Sequence, residues 1–310
     1  MTKPFRFAVQ TSSAPDGKAW RDKARKIEDL GYSTLFIPDH FGDQWGPLVA
    51  LTIAAEATDR LNVGTLVLDN DYRHPVVVAK EIATLDLASG GRVEFGLGAG
   101  WLKSDYDESG IAYDEPSVRV DRMVEGLRIM KQMWRGGVAD LRGSHYAVTG
   151  AKGDPRPASA TTPKILIGGG GRKVLTVAAQ EADIVGINPN LRSGAVNQDV
   201  AKSAVASLYK ERLEWVREAA GERFDDLELQ CLTFFVVFTD DPRSVAENLA
   251  PGFGVTPEDA LEMPIALAGT VDSMVDTLQQ RREELGISYL VVHEPEMEQF
   301  GEVVARLAGS

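Results

Sequence analysis

Short β-branched runs alternate with stretches of helical periodicity along almost the whole chain, and no other feature constrains the fold as tightly. Arg6–Gln10 alternates like a strand. Trp20, Ala24, Ile27 and Leu30 then share one face of a helix that Gly31 ends. Thr34–Pro38 and Pro47–Thr58 form the next strand and helix. Asn62–Leu68 follows, with a helix over Val76–Leu87 that begins just after Pro75. Arg92–Gly98 precedes a long helix, Ser117–Trp134. Lys164–Gly168 precedes Arg172–Glu181, and Ile184–Asn188 precedes Val200–Ala220. Glu228–Thr239, a helix over Val271–Leu285 and a final strand, Tyr289–His293, complete the series.

These are eight strand-like runs, the first seven each followed by a helix, and such alternation specifies a parallel sheet. Eight β/α units in 310 residues fit one closed (β/α)8 TIM barrel, whose usual size is about 250 residues plus insertions. An open doubly wound sheet is the alternative. Neither a Pro/Ser-rich linker nor a repeat divides the chain, so residues 1–310 read as a single α/β domain. Leu102–Pro116, Val138–Pro163 and Asp240–Gly269 read as insertions at strand ends. A barrel builds its site from the loops after the strands, so those loops carry the functional information.

Composition removes several function classes. A net charge of −13 disfavours a nucleic-acid or anionic-membrane surface, both of which need clustered Lys and Arg. With 44% apolar and 25% charged residues the chain is too apolar for disorder. The one cysteine, Cys231, excludes an internal disulfide and cannot by itself build a zinc cage, so no metal site is expected. The N-terminus from Met1 to Arg6 leads into a strand without an apolar signal core. No window reaches the roughly 18 apolar residues of a membrane span. The expectation is a reduced, cytoplasmic protein acting on a small molecule.

Strand two runs into Pro38-Asp39-His40-Phe41, with Trp45 close behind. A histidine here stands at a barrel mouth and can exchange a proton near neutral pH, or it can simply bond its own loop. Asp39 can orient His40 or the loop. After strand three, His74 precedes a proline that opens a helix and reads as a helix cap, while Arg73 is a surface cation or an anion contact. Strand four leads into Gly96-Leu97-Gly98-Ala99-Gly100-Trp101, which permits close backbone approach to a ligand or a tight turn. Trp101 is a stacking platform or packing. Asp105, Asp107 and Glu108 read as a solvated loop. Cys231, in an apolar run, reads as an inert buried thiol.

Strand five opens directly through Gly168-Gly169-Gly170-Gly171 into a helix, and this is the strongest motif physics alone can read. Exposed N–H groups and the positive helix end make an anion site, with Arg172 and Lys173 adding charge. There is no Gly-x-x-x-x-Gly-Lys-Ser/Thr, so it is not a nucleotide-hydrolysing loop.

Taken together, Asp39-His40, Tyr72-Arg73-His74-Pro75 and Leu85-Asp86-Leu87-Ala88-Ser89-Gly90-Gly91-Arg92-Val93 running into Gly96–Trp101 resemble the bacterial-luciferase-like superfamily. The turn at Gly168–Gly171 and Ala182-Asp183-Ile184-Val185-Gly186 extend the resemblance over nearly the whole chain. It implies a (β/α) barrel that uses FMN or the deazaflavin coenzyme F420. It implies a ring in the barrel mouth against a bulge in strand three, with a non-proline cis peptide matching Leu66–Val67. The phosphate-bearing tail is then expected along Gly98, Ala99, Gly100 and Trp101 and the turn at Gly168, Gly169, Gly170 and Gly171, with Gly186 beside it. The pattern is closest to the F420-dependent branch, in which an Asp-His pair and a nearby tryptophan line the site; Asp39, His40 and Trp45 match in order. Where sugar-phosphate dehydrogenases of that branch carry a glutamate after Gly-x-Gly, this chain has Trp101, so their acid and substrate do not carry over. Homodimers are common in the family.

The expected function is hydride transfer between F420 and a small organic substrate, with His40 exchanging the accompanying proton. An FMN-dependent monooxygenase and a non-catalytic flavin-binding protein are the alternatives.

Overall fold

The computed structural model describes residues 3–159 and 162–310. Met1 and Thr2 of the N-terminal stretch, and Ala160 and Thr161 of the second expected insertion, lie outside the described residues.

Eight parallel strands close on themselves. They are β1 (Arg6–Gln10), β2 (Thr34–Ile37), β3 (Asn62–Thr65, resuming at Leu68–Asp69), β4 (Val93–Gly98), β5 (Lys164–Gly169), β6 (Ile184–Ile187), β7 (Glu228–Leu232) and β8 (Ile287–His293). Each pairs with the next in the chain, and β8 pairs with β1, so the sheet has no free edge. The open-sheet alternative is thereby excluded. Around the barrel run α1 (Gly17–Asp29), α2 (Pro47–Ala57), α3 (Pro75–Ser89), α4 (Pro116–Trp134), α5 (Arg172–Glu181), α6 (Ala206–Ala220), α7 (Val271–Leu285) and α8 (Met297–Leu307).

Local chemistry explains these boundaries. Asp16 caps α1 by accepting from the N–H groups of Lys18 and Ala19. His74 accepts from Val76 N–H just before Pro75, so the cap reading of this histidine holds. Gly90 ends α3 in the left-handed conformation. One apolar layer packs between strands and helices, where Val9, Leu35, Phe95 and Ile167 meet Trp20, Ile82 and Trp134. A smaller set, including Ala8, Phe36, Leu166, Ile184 and Val291, fills the barrel itself.

Arg6 closes the N-terminal end from inside. It pairs with Glu94 and, at 2.7 Å, with Glu228, while the Tyr289 hydroxyl donates to Glu94 at 2.8 Å. The Leu66–Val67 peptide is cis and interrupts β3, as the resemblance implies.

Several expectations need correction. The run Glu228–Thr239 is not one strand: it leaves the barrel after Leu232, and Phe235–Phe238 pairs with Ala266–Gly269 in a separate sheet. The helix over Val200–Ala220 divides into Gln198–Lys202 and Ala206–Ala220. The insertions are also structured. They hold a short helix (Lys103–Ser109), a hairpin (Val138–Arg142 with Ala147–Lys152) and two helices (Pro242–Phe253 and Pro257–Glu262). Among the described residues, no helix is long and apolar enough to cross a membrane.

Candidate active site

The chain leaves β2 through Pro38, Asp39 and His40. Asp39 is buried and does not face His40. Arg73 donates to both of its oxygens, at 2.5 and 3.0 Å, and Asp69 N–H adds a third bond at 3.0 Å. A bidentate guanidinium pair of this kind fixes geometry strongly. Asp39 therefore ties the loop after β2 to the end of β3, and Arg73 is an internal partner rather than a free surface cation. Both oxygens are bonded within the protein, so Asp39 anchors the loop, whatever contact it makes with a cofactor.

His40 finds its partner in a segment read from sequence as solvated loop. Its Nδ1 lies 2.6 Å from Asp105 Oδ2, and Asp105 is only 4% exposed. Tyr72 donates its hydroxyl to the same oxygen at 3.2 Å. A carboxylate only accepts, so Nδ1 is the donor, and Nε2 has no protein partner among the described residues. Asp105 reaches His40 because the insertion after β4 folds as the helix Lys103–Ser109, whose buried face carries Asp105 and Tyr106. Trp101 meets the imidazole edge to face, with ring centroids 5.8 Å apart. The tryptophan beside His40 is thus Trp101. Trp45, expected there, packs on Trp20 at 5.3 Å and donates its backbone N–H to Ser12.

Behind this pair lies a second acidic group. Tyr106 donates its hydroxyl to Asp69 at 3.0 Å, and Arg122 meets Asp71 at 3.1 Å. Burial, reinforced by the charges of Asp71 and Asp39, pushes the Asp69 carboxyl up to about 7. Gly100 has φ +73°, and a Cβ there would lie 1.8 Å from the Tyr106 hydroxyl oxygen. A Cβ on Gly98 would lie 2.5 Å from Val67. These glycines therefore let β4 and its loop approach the bulge and the Asp69–Tyr106 pair. Ala99 O accepts from Arg119 at 3.1 Å and Trp101 O from Tyr113 at 3.0 Å, so the stretch Gly98–Trp101 is well tied internally.

The turn Gly168–Gly171 opens α5 as expected, and among the described residues no side chain caps that helix. Its leading N–H groups are left for a ligand or solvent. The expected reinforcement by Arg172 and Lys173 is weaker than the sequence suggests, because they pair with Glu218 at 3.1 Å and Asp121 at 2.7 Å. The four glycines also differ. A Cβ on Gly170 would strike the Pro189 carbonyl at 2.2 Å, one on Gly169 would strike Val174 at 2.3 Å, and one on Gly171 would meet nothing within 4 Å. Gly186 lies level with Gly168 and makes room for the Gln230 side chain. Gln10, which sequence reasoning passed over, donates from its amide to the Leu66 carbonyl at 2.9 Å and braces the bulge. Only its position at a strand end could have flagged it.

The mouth thus gathers a histidine with its carboxylate, a tryptophan, a bulged strand and an uncapped glycine turn. The model of the luciferase-like monooxygenase family matches residues 1–285. An F420-dependent glucose-6-phosphate dehydrogenase of Amycolatopsis mediterranei (strain U-32) is 30% identical over 154 residues, covering 47% of this chain and 46% of that protein. The enzyme of the same name from Kribbella flavida (strain DSM 17836 / JCM 10339 / NBRC 14399) is 26% identical over 284 residues, covering 88% and 80%. The chain therefore spans about half the length of the first of these relatives and most of the second. The crystal structure of coenzyme F420-dependent tetrahydromethanopterin reductase from Methanopyrus kandleri superposes with a TM-score of 0.75 at 20% identity, covering 98% of each chain.

Proposed function

The chain belongs to the luciferase-like monooxygenase family, and from that premise we propose that it is an F420-dependent oxidoreductase transferring a hydride between the deazaflavin and a small organic substrate. The observation that carries the reading is the meeting, at one barrel mouth, of the Leu66–Val67 bulge, the uncapped turn at Gly168–Gly171 and the His40–Asp105 pair. The preference for F420 over FMN rests on the relatives named for it.

The bound deazaflavin would supply hydride chemistry that no side chain can perform. Val67, half-buried at the bulge, forms a wall for a flat ring, with Gly98 leaving its side chain room. The N–H groups that open α5 would hold the anionic tail, with open space for it beside Gly171. Asp39 and Arg73 fix the loop that carries His40. Asp105 accepts a hydrogen bond from Nδ1–H, so His40 would present Nε2 to the accompanying proton transfer. Trp101 limits the orientations of the imidazole and narrows the access of water.

Titration of the purified protein with F420 and with FMN, read by ligand fluorescence, tests the cofactor. Tight F420 binding with oxygen-independent turnover is expected. Turnover that requires reduced FMN and oxygen would move the protein to the monooxygenase reading, and binding without turnover would make it a flavin-binding protein.

A cytoplasmic homodimer belongs to the same reading. α2 is apolar on nearly all sides and leaves Val49 69% exposed, next to α3 with Val77 50% exposed. Val49→Asp should then halve the mass found by light scattering.

A further inference from the structure

Two histidines stand at the mouth in opposite surroundings, and the mechanism uses only one. His293 is the last residue of β8. Tyr289 and Val291 pack inside the barrel, so alternation along the strand turns His293 inward as well. It lies level with Gln10 of β1, whose amide braces the bulge. Gln10 in turn lies level with Phe36 of β2, the strand that leads to His40, so β1 alone separates the two histidine-bearing strands.

The His293 ring is half-buried, with its edge toward Phe234 and centroids 6.1 Å apart. Among the described residues neither ring nitrogen has a hydrogen-bond partner, and no carboxylate faces the ring. Its neighbour Glu294 is turned to the Thr11 hydroxyl and to Lys23, whose Nζ lies 2.6 Å away. Phe234 meets the ring edge-on and Gln10 of β1 is its register neighbour, and neither titrates. Burial lowers the His293 pKa and so favours the neutral ring. The ring is only half-buried, so its nitrogens, without a protein partner among the described residues, are available to solvent or to a ligand.

A neutral imidazole carries one N–H and one lone pair. It can accept from a hydroxyl and donate to a carbonyl, and so serves both sides of a carbinol–carbonyl interconversion. An anion would find little here. Arg73 is neutralised by Asp39, Lys23 by Glu294 and Arg122 by Asp71. Phe234, Trp101 and the exposed Phe41 offer apolar edges instead.

We propose that His293 holds the reacting oxygen of the substrate, and that this oxygen is an uncharged hydroxyl or carbonyl on an apolar molecule rather than part of a sugar phosphate. The proposal rests on the oxidoreductase reading for the reaction, but the contact itself can be tested without cofactor.

The first test is imidazole NMR of the cofactor-free protein labelled with 15N-histidine, titrated separately with cyclohexanol, cyclohexanone and glucose 6-phosphate. His293→Phe identifies the His293 signals by their loss. The neutral probes should shift them saturably, and the phosphate should not. In the F420-loaded protein, His293→Phe should raise KM for cyclohexanol about tenfold, the scale of one lost hydrogen bond. F420 affinity should stay unchanged, and His293→Gln, which keeps a donor and an acceptor, should recover part of the loss. His293 signals unmoved by both neutral probes, or moved by the phosphate alone, would overturn the proposal. Failure of the wild type to bind F420 would remove the oxidoreductase reading, while the cofactor-free titration would still decide the role of His293.

Discussion

His40 and Asp105 are separated by two strands, two helices and a glycine turn in sequence, yet their side chains meet at 2.6 Å. His40→Ala should slow the chemical step by roughly 10²–10⁴-fold, the range for a lost acid or base, with F420 affinity nearly unchanged. Asp105→Asn should slow the same step less and shift its pH profile, because an amide can accept from Nδ1 without stabilising an imidazolium. Normal single-turnover rates in both folded variants would remove the pair from the mechanism. Asp69 supports a different measurement. Its carboxyl, pushed up to about 7 by burial, binds a proton more tightly in the folded chain than in the unfolded one. Folding stability should therefore fall as pH rises from about 4 to about 7. Asp69→Asn, which still accepts from Tyr106, should flatten that slope in urea unfolding at pH 5 and pH 8; parallel losses in both proteins would contradict the assignment. Asp69 and Asp105 were invisible in the sequence as special residues, since nothing local distinguishes a buried carboxylate from a solvated one.

Among the elements, α5 and the turn before it form the proposed anion site, and the glycines divide by what surrounds them. Gly171→Val should leave the melting temperature close to wild type and weaken F420 binding, because its side chain enters open space that the tail would occupy. Gly170→Ala should lower the melting temperature first, since its Cβ meets the Pro189 carbonyl at 2.2 Å. Equal F420 affinity in Gly171→Val and wild type would sink the tail assignment. The sequence marked this turn by four adjacent glycines but could not separate their duties, which depend on a loop from the next β/α unit. The strand read over Glu228–Thr239 shows the same limit: its apolar run is continuous, while hydrogen bonding sends Glu228–Leu232 into the barrel and Phe235–Phe238 to Ala266–Gly269. Periodicity reports that a segment is extended and buried, but not which strand it pairs with.

At the scale of the whole molecule, barrel closure seals the N-terminal end with Arg6, Glu94, Glu228 and Tyr289, and leaves the opposite end for chemistry. Arg6→Met should cost about 3–5 kcal/mol of folding stability, because Glu94 would remain buried without its cation. Denaturant unfolding measures this, and a loss below about 1 kcal/mol, the scale of a surface pair, would show that the layer is not needed to hold the barrel shut. The sequence by itself determined the barrel, its eight β/α units and the glycine-rich turns at the mouth, where the proposed site lies. All of these follow from residue spacing along one strand, one helix or one turn, and local geometry acts over such distances. Only the tertiary structure decided that Asp105 and not Asp39 bonds His40, that Trp101 and not Trp45 stands beside it, and that His293 ends β8 with no hydrogen-bond partner among the described residues. Those outcomes depend on closing a sheet that brings residues from different β/α units to one rim, and on burial that changes what a carboxylate or an imidazole does.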